Sequence, residues 1–126
     1  MYHVDPDHKE REFLTLDELT AMTEIKLEDP NMAFARDLFI FGSWTGIAFI
    51  DIKNLTEDNI SMVNGAPWIV SKRQKTGVPF QIKLMDIPMQ IVERYKSFRK
   101  DNHLFNIGNL DSINKRIKKV AAMCGI

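Results

Sequence analysis

The Asn64-Gly65 dipeptide constrains the fold of this 126-residue chain more than any other feature of its sequence. Asn and Gly tolerate the positive φ angles that the two-residue turns of β-hairpins require. Apolar and polar residues alternate in the segments before and after it, 59–63 and 68–72, as in half-buried strands. A second turn at Thr76-Gly77 leads to a third alternating segment, 78–84, in which Pro79 indicates an edge strand. The pattern predicts a three-stranded antiparallel meander.

Helical periodicity on both sides of the meander predicts an α+β fold that is mainly helical. Thr15 and Glu18 have the spacing of a capping box and open a predicted helix over 15–26. Further helices are predicted at 31–43 and 48–55 before the strands, and at 88–99 and 110–123 after them, with Pro88 in a first turn.

Burial is predicted from the same periodicity. We expect Ile47, Ile50 and Leu55 to face the core. If a part of the fold that this chain lacks normally packs on the second and third helices, we expect apolar surface to be exposed around four of their aromatic residues, which would favour self-association. These residues are Phe34, Phe39, Phe41 and Phe49.

Composition excludes several classes of protein. At 44% apolar and 27% charged residues, the sequence is typical of a globular domain and not of a disordered or collagenous chain. The single cysteine, Cys124, cannot form an internal disulfide and favours a reducing compartment, so we expect a cytoplasmic protein. The longest apolar stretch, 38–50, is shorter than the roughly 20 residues that a membrane-spanning helix needs. We therefore expect no membrane association.

Charge is segregated along the chain although its formal net value is zero. Residues 1–69 hold 5 basic and 13 acidic residues, whereas residues 70–126 hold 12 basic and 4 acidic ones, which gives −8 and +8. A basic region of this kind is able to form a phosphate-binding face. Two solvated surfaces of opposite sign would give the same numbers, so charge alone leaves both interpretations open.

Chemistry-bearing motifs are few. The histidines His3, His8 and His103 do not have metal-ligand spacing with Cys124, so we expect no metal site. Gly-rich phosphate loops and nucleophile elbows are absent from the sequence, and we expect no cofactor. The basic segment 71–77, Ser-Lys-Arg-Gln-Lys-Thr-Gly, stands out because it places three cations at the end of a strand and in a tight turn. Such a turn can contact nucleic acid phosphates or base edges, or it can be a solvated turn.

Four segments in order carry a resemblance to a known family: 13–19 (FLTLDEL), 44–55 (WTGIAFIDIKNL), 72–79 (KRQKTGVP) and 114–125 (NKRIKKVAAMCG). They resemble the catalytic domain of tyrosine recombinases, the phage integrase family, and most closely the integrases of mobile elements in Bacteroides-like bacteria. The resemblance covers nearly the whole chain after residue 11. It implies the N-terminal part of an integrase-type catalytic domain over 12–126. Residues 1–11 are polar without apolar periodicity, which predicts a leader or linker.

The resemblance implies a DNA-cutting and rejoining chemistry. The family uses a tyrosine that forms a 3′-phosphotyrosyl intermediate, assisted by arginines, a lysine and histidines. Lys75 matches the family lysine that is expected to protonate the leaving 5′-oxygen. The alternative is that Lys75 only positions a phosphate. DNA is the implied partner, together with other integrase protomers or further copies of the chain. The residues expected to contact DNA are Lys72, Arg73, Lys75 and Thr76.

Ala48 departs from the family pattern, because it occupies the position of the first catalytic arginine after Thr-Gly-Leu. An alanine side chain cannot bind phosphate, so another cation would have to substitute for it. Asp51 matches the acidic residue that follows the arginine and is expected to be a structural partner. The candidates for the missing cation are Lys53, Arg73 and Arg36.

The second family box, His-x-x-Arg, and the nucleophilic tyrosine belong after the segment that matches 121–126. We therefore expect this chain to be part of a recombinase and inactive alone. The alternatives are a naturally truncated relative that binds DNA or an integrase without catalysis, and an α+β domain whose lysines are merely solvated. Tyr95 falls where the family has no nucleophile, and we expect it to serve in packing.

Overall fold

A computed structural model of the chain describes residues 15–126. The predicted leader over 1–11 lies outside the described residues. Five α-helices and one sheet make up the described part, in the order α1, α2, α3, β1, β2, β3, α4, α5. The helices are α1 (Leu16–Glu24), α2 (Pro30–Thr45), α3 (Phe49–Lys53), α4 (Asp86–Arg94) and α5 (Leu110–Met123). The strands are β1 (Ile60–Val63), β2 (Ala66–Lys72) and β3 (Pro79–Lys83).

The mainly helical α+β fold with a three-stranded antiparallel sheet is confirmed. The strand order is β1-β2-β3, and Val63 pairs with Ala66 across the Asn64-Gly65 turn. Pro79 lies in the edge strand β3, as its missing N–H favours. One row of isoleucines crosses all three strands, because Ile69 of β2 pairs with Ile60 on one side and Ile82 on the other. This row packs the sheet on the core, with Ile69 fully buried.

Backbone conformation explains why the first turn needs its sequence. Asn64 has φ 52° and Gly65 has φ 79°, the left-handed values that a two-residue hairpin loop requires. A Cβ at Gly65 would meet no atom within 4 Å, so the cost of a side chain there is conformational and not steric.

We expect Gly65→Ala to lower the free energy of unfolding by about 1 kcal/mol, measured by urea denaturation. Gly108→Ala is the matched control, since Gly108 has equally open space without a positive φ. Equal effects of both substitutions would contradict the expectation.

Helix α2 is the central element and contacts α1, α3, α4 and α5. It begins after Asp29, whose side chain accepts a hydrogen bond from the Asn31 N–H at 2.8 Å, with Pro30 in the first turn. It ends at Thr45, and the C-cap residue Gly46 has φ 76°. The capping box of α1 is also formed as predicted: Glu18 N donates to Thr15 Oγ1 at 3.0 Å, and Thr15 N donates to the Glu18 carboxylate at 2.9 Å.

Two predictions about burial are wrong. Ile50 is 40% exposed, and Ile52 takes its expected place in the core, because α3 begins only at Phe49 and turns position 50 outward. Phe41 is fully buried rather than exposed, since Phe105 of the same chain packs on it with ring centroids 5.1 Å apart. The other three expected aromatic residues are half-buried and pack against the core. They are Phe34, Phe39 and Phe49. Self-association stays a prediction.

The helix predicted over 88–99 ends earlier, at Arg94, and a 3₁₀ turn (Lys96–Phe98) follows it. Tyr95 leaves the helical conformation with φ −103° and ψ 12°. In this conformation its ring packs on Phe34, with centroids 4.8 Å apart. The packing role expected for Tyr95 is thereby confirmed.

Candidate nucleic-acid interface

The basic turn between β2 and β3 is closed by its own backbone. Arg73 N donates to Val78 O at 2.8 Å, and Gly77 N donates to Arg73 O at 2.7 Å. Gly77 has φ 73°, so its lack of a side chain permits this closure. The remaining three residues, 74–76, form the tip.

The cations of this turn are presented to solvent. Lys72, Arg73 and Lys75 are exposed, and none of them forms an ion pair with another residue of the described range 15–126. Thr76 Oγ1 accepts a hydrogen bond from Val78 N at 3.2 Å, and the same hydroxyl still has a proton to donate. The structure thus brings the four residues predicted to contact DNA into one exposed turn, which can offer several hydrogen-bond donors to phosphate oxygens.

Helix α3 holds the tip of the turn in place. The carboxylate of Asp51 is buried, and its Oδ1 accepts a hydrogen bond from Gln74 N at 2.8 Å. The Asn54 amide donates both to the Gln74 side chain and, at 2.8 Å, to Ile50 O of its own helix. Asp51 is therefore a structural partner of the basic turn. The sequence indicated an acidic position here but gave no sign that its partner would be a backbone amide 23 residues away.

A cavity of about 240 Å³ separates the basic turn from the segment that joins α2 to α3. Its lining includes Thr45, Gly46 and Ile47 on one side and Arg73 on the other, with Asp51 between them. Ala48, the position where the family resemblance implies an arginine, is exposed directly after this segment. A cation at the mouth of this cavity would therefore lie close to Ala48.

The three candidates for the missing cation lie in different surroundings. Arg36 is committed elsewhere, because its Nε donates to Asp37 at 2.7 Å and its Nη1 donates to the carbonyls of Met22 and Ile25, each at 3.0 Å. Lys53 lines a separate cavity on the far end of α3. Arg73 alone of the three lines the cavity beside the Ala48 segment.

A buried carboxylate between α2 and α4 is the feature that the sequence did not indicate. Asp37 accepts hydrogen bonds from Arg36 Nε at 2.7 Å, Arg94 Nη1 at 2.9 Å and Tyr95 Oη at 2.5 Å. Burial, reinforced by the hydrogen bond and the negative charge of Asp37, raises the pKa of the Tyr95 hydroxyl well above its ordinary value of 10.0. Tyr95 is therefore held as a protonated donor that supports the fold.

Alkaline pH is expected to destabilise the protein through Tyr95. The unfolded chain releases the Tyr95 proton near the ordinary pKa of 10.0, whereas the folded chain retains it. The unfolded state then binds fewer protons, so the free energy of unfolding falls as pH rises above about 10, by at most ~1.4 kcal/mol per pH unit. Urea denaturation of the wild type and Tyr95→Phe between pH 9 and pH 11 measures the difference. Identical pH dependence of the two proteins would contradict the expectation.

The second basic surface lies on α5, whose apolar stripe includes the buried residues Ile113 and Val120. This helix packs on α2. Its basic residues are Lys115, Arg116, Lys118 and Lys119. The predicted bounds of this helix are confirmed at both ends.

Comparisons of the chain with protein-family models, curated proteins and solved structures find no match. Within residues 15–126, no three His, Cys, Asp or Glu side chains lie close enough together to hold a metal ion. No helix in that range is both long and apolar enough to cross a bilayer.

Proposed function

We propose that the chain is the DNA-contacting N-terminal part of a tyrosine-recombinase catalytic domain. The observation that carries the proposal is the exposed basic turn, whose tip is held by the buried carboxylate of Asp51. A solvated turn needs no such support, whereas cations that must meet a phosphate at a fixed position gain from preorganisation. The proposal also draws on the four sequence segments that carry the family resemblance, one of which contains the turn.

Lys75 is the proposed proton donor. When the family tyrosine attacks the scissile phosphorus, a phosphotyrosyl bond forms and the bond to the 5′-oxygen breaks. Protonation of that oxygen by the Lys75 ammonium makes it a better leaving group. The exposed position of Lys75 at the tip of the turn allows its amine to reach a phosphodiester.

Arg73 is the proposed substitute for the cation that Ala48 lacks. Its position on the cavity beside Ile47 and Asp51 places a guanidinium on the side of the turn that faces the α2–α3 segment. A guanidinium presents two parallel N–H donors to a phosphate and offsets the charge that develops there. In this arrangement Lys72 and Thr76 contact neighbouring phosphates of the DNA and position its backbone.

Salt titration of DNA binding tests the proposal. With phosphate contacts from Lys72, Arg73 and Lys75, the logarithm of the association constant should fall with the logarithm of salt concentration with a slope of about −2.7. Between about 50 and 200 mM salt, that slope corresponds to a loss of about 40-fold in affinity. Fluorescence anisotropy of a short labelled duplex measures it. Absence of binding at low salt, or an affinity independent of salt, would contradict the proposal.

A further inference from the structure

A polar cavity of about 270 Å³ lies between the end of α3 and the loop that follows the 3₁₀ turn at Lys96–Phe98. Phe105 and Ile107 form its apolar part. Its polar lining consists of Lys53, Asn54, Lys100, Asp101, His103 and Asn106. This cavity shares no lining residue with the one beside Arg73.

Positive charge dominates the lining of this cavity. Its lining contains two lysines, Lys53 and Lys100, and one carboxylate, that of Asp101, and His103 adds an imidazole ring. Neither lysine forms an ion pair with any other residue of the described part of the chain. By contrast, the nearby Arg99 is fully engaged with Glu57 and with the carbonyls of Val92 and Leu104. The cations of the cavity are thus not used to hold the fold together.

The loop that carries Lys100 and His103 is fixed by hydrogen bonds. Its Asn102 carbonyl accepts from Glu57 N at 3.0 Å, and the Leu104 N–H donates to Leu55 O at 2.9 Å. The Asn102 side chain donates to Asp58 at 3.1 Å. The cations therefore project from a backbone that is already positioned, which lowers the ordering cost of binding a ligand.

The opposite wall of the cavity is connected to the basic turn. Asn54 lies in the cavity lining, and its amide donates to the Gln74 side chain at the tip of the turn. Both N–H groups of the Asn54 amide are used, one by Gln74 and one by Ile50 O. Asn54 therefore connects the cavity to the turn, and the side chains available to a ligand are the lysines, His103 and Asn106.

We propose that this cavity is a second phosphate-binding site, in which Lys53, Lys100 and His103 hold a phosphate oxyanion. Ammonium groups act as compact point charges toward phosphate, and the Asn106 amide supplies a neutral donor. The phosphate is either that of a small phosphorylated molecule or a phosphodiester of DNA that extends from the basic turn. The binding chemistry is the same for both sources.

Phosphate titration followed by ¹H–¹⁵N NMR of the full chain tests the site. Sodium phosphate is added at constant ionic strength against sodium chloride. We expect saturable shifts confined to residues 53–54 and 100–107. Lys53→Met and Lys100→Met, which keep the methylene stems, should each weaken binding about tenfold. Lys96→Met, an exposed lysine outside the cavity, should leave the affinity unchanged.

Two outcomes would overturn the proposal: shifts that never saturate, and equal affinity in the wild type and the Lys53→Met/Lys100→Met double variant. A fold defect in a variant is recognised separately, because it would change resonances throughout the spectrum of the variant before phosphate is added.

Duplex DNA distinguishes the two phosphate sources. Titration of DNA into the wild-type chain should shift residues 100–107 if the ligand is a DNA phosphodiester, and the Lys53→Met/Lys100→Met variant, whose basic turn is intact, should lose those shifts. If inorganic phosphate shifts these residues but DNA does not, the ligand is a small phosphorylated molecule. Either result supports the site, and it does so independently of whether the basic turn binds DNA.

Discussion

Replacing Asp37 with alanine is expected to lower the free energy of unfolding by about 3–5 kcal/mol, because it leaves a largely buried guanidinium without its partner. The Asp37 side chain is 5% exposed and that of Arg36 is 12% exposed, so their ion pair lies out of solvent. Arg94 is 50% exposed and its pairing with Asp37 is screened by water, so it contributes little. Tyr95 also loses the acceptor of its hydroxyl.

The effect of Asp37→Ala should extend to α1. The same Arg36 guanidinium that pairs with Asp37 donates to the Met22 and Ile25 carbonyls at the end of α1. Without the carboxylate, the carbonyls of Met22, Thr23 and Ile25 alone hold the guanidinium in that position. We therefore expect α1 to exchange its amide hydrogens faster in the variant than in the wild type.

Urea denaturation of Asp37→Ala and Asp37→Asn measures the stability change. The asparagine keeps an acceptor of similar shape but loses the charge, so its cost should be smaller. Glu93→Gln is the matched control, since Glu93 is an exposed carboxylate on α4 and should change stability by less than about 0.5 kcal/mol. If Asp37→Ala destabilised the protein no more than Glu93→Gln does, the structural role of this carboxylate would be disproved.

Local sequence signals were sufficient for most elements of the fold. Asn64-Gly65 specifies a turn through the φ angles that its two residues tolerate, and Thr15 with Glu18 specifies a helix start through side chain to backbone hydrogen bonds three residues apart. These interactions are complete within a few residues, so the sequence contains all of the information. The sheet followed from alternation because one of its faces packs on the core.

Long-range partners could not be predicted in this way. In the sequence, Asp37 is one more charged residue in a predicted helix. Its partners Arg94 and Tyr95 lie 57 and 58 residues later, and only the packing of α4 on α2 brings them to it. The same holds for Asp51, whose partner Gln74 is on a different element. Arg36 is one of the candidates for the missing cation in the sequence, and in the fold its Nε and Nη1 donate to Asp37 and to the Met22 carbonyl. Pattern predicts elements, whereas the pairing of polar groups between elements depends on tertiary packing.

The segregated charge of the chain also has a structural explanation. Much of the basic excess after residue 69 lies on two surfaces, the β2–β3 turn and the outer face of α5. The turn is held by a buried carboxylate, whereas α5 shows its lysines on an ordinary amphipathic helix. If charge alone governed DNA binding, the two surfaces would contribute equally to the affinity. If the positioned turn is the binding element, the turn should contribute more than α5.

Replacing Lys72, Arg73 and Lys75 together with alanine should remove the contribution of the β2–β3 turn to the salt dependence of DNA binding. Loss of three phosphate contacts moves the slope toward zero by about 2.7 and lowers the affinity at about 50 mM salt on the order of 10³-fold. The hydrogen bonds that close the turn and hold it to α3 come from the backbone and from Asp51, so the fold should persist. Circular dichroism and urea denaturation verify that it does.

The matched control carries the same loss of three charges on α5: Lys115→Ala/Lys118→Ala/Lys119→Ala. These lysines are exposed, and their removal leaves the apolar stripe of the helix intact. The control should retain a slope close to that of the wild type, because the lysines removed from α5 are not positioned to contact the phosphates that the β2–β3 turn contacts. If both triple variants lost affinity equally, DNA binding would reflect net charge alone, and the assignment of the contact to the β2–β3 turn would be wrong. Restoring only Lys75 in the turn variant should recover about one contact, which changes the slope by about −0.9.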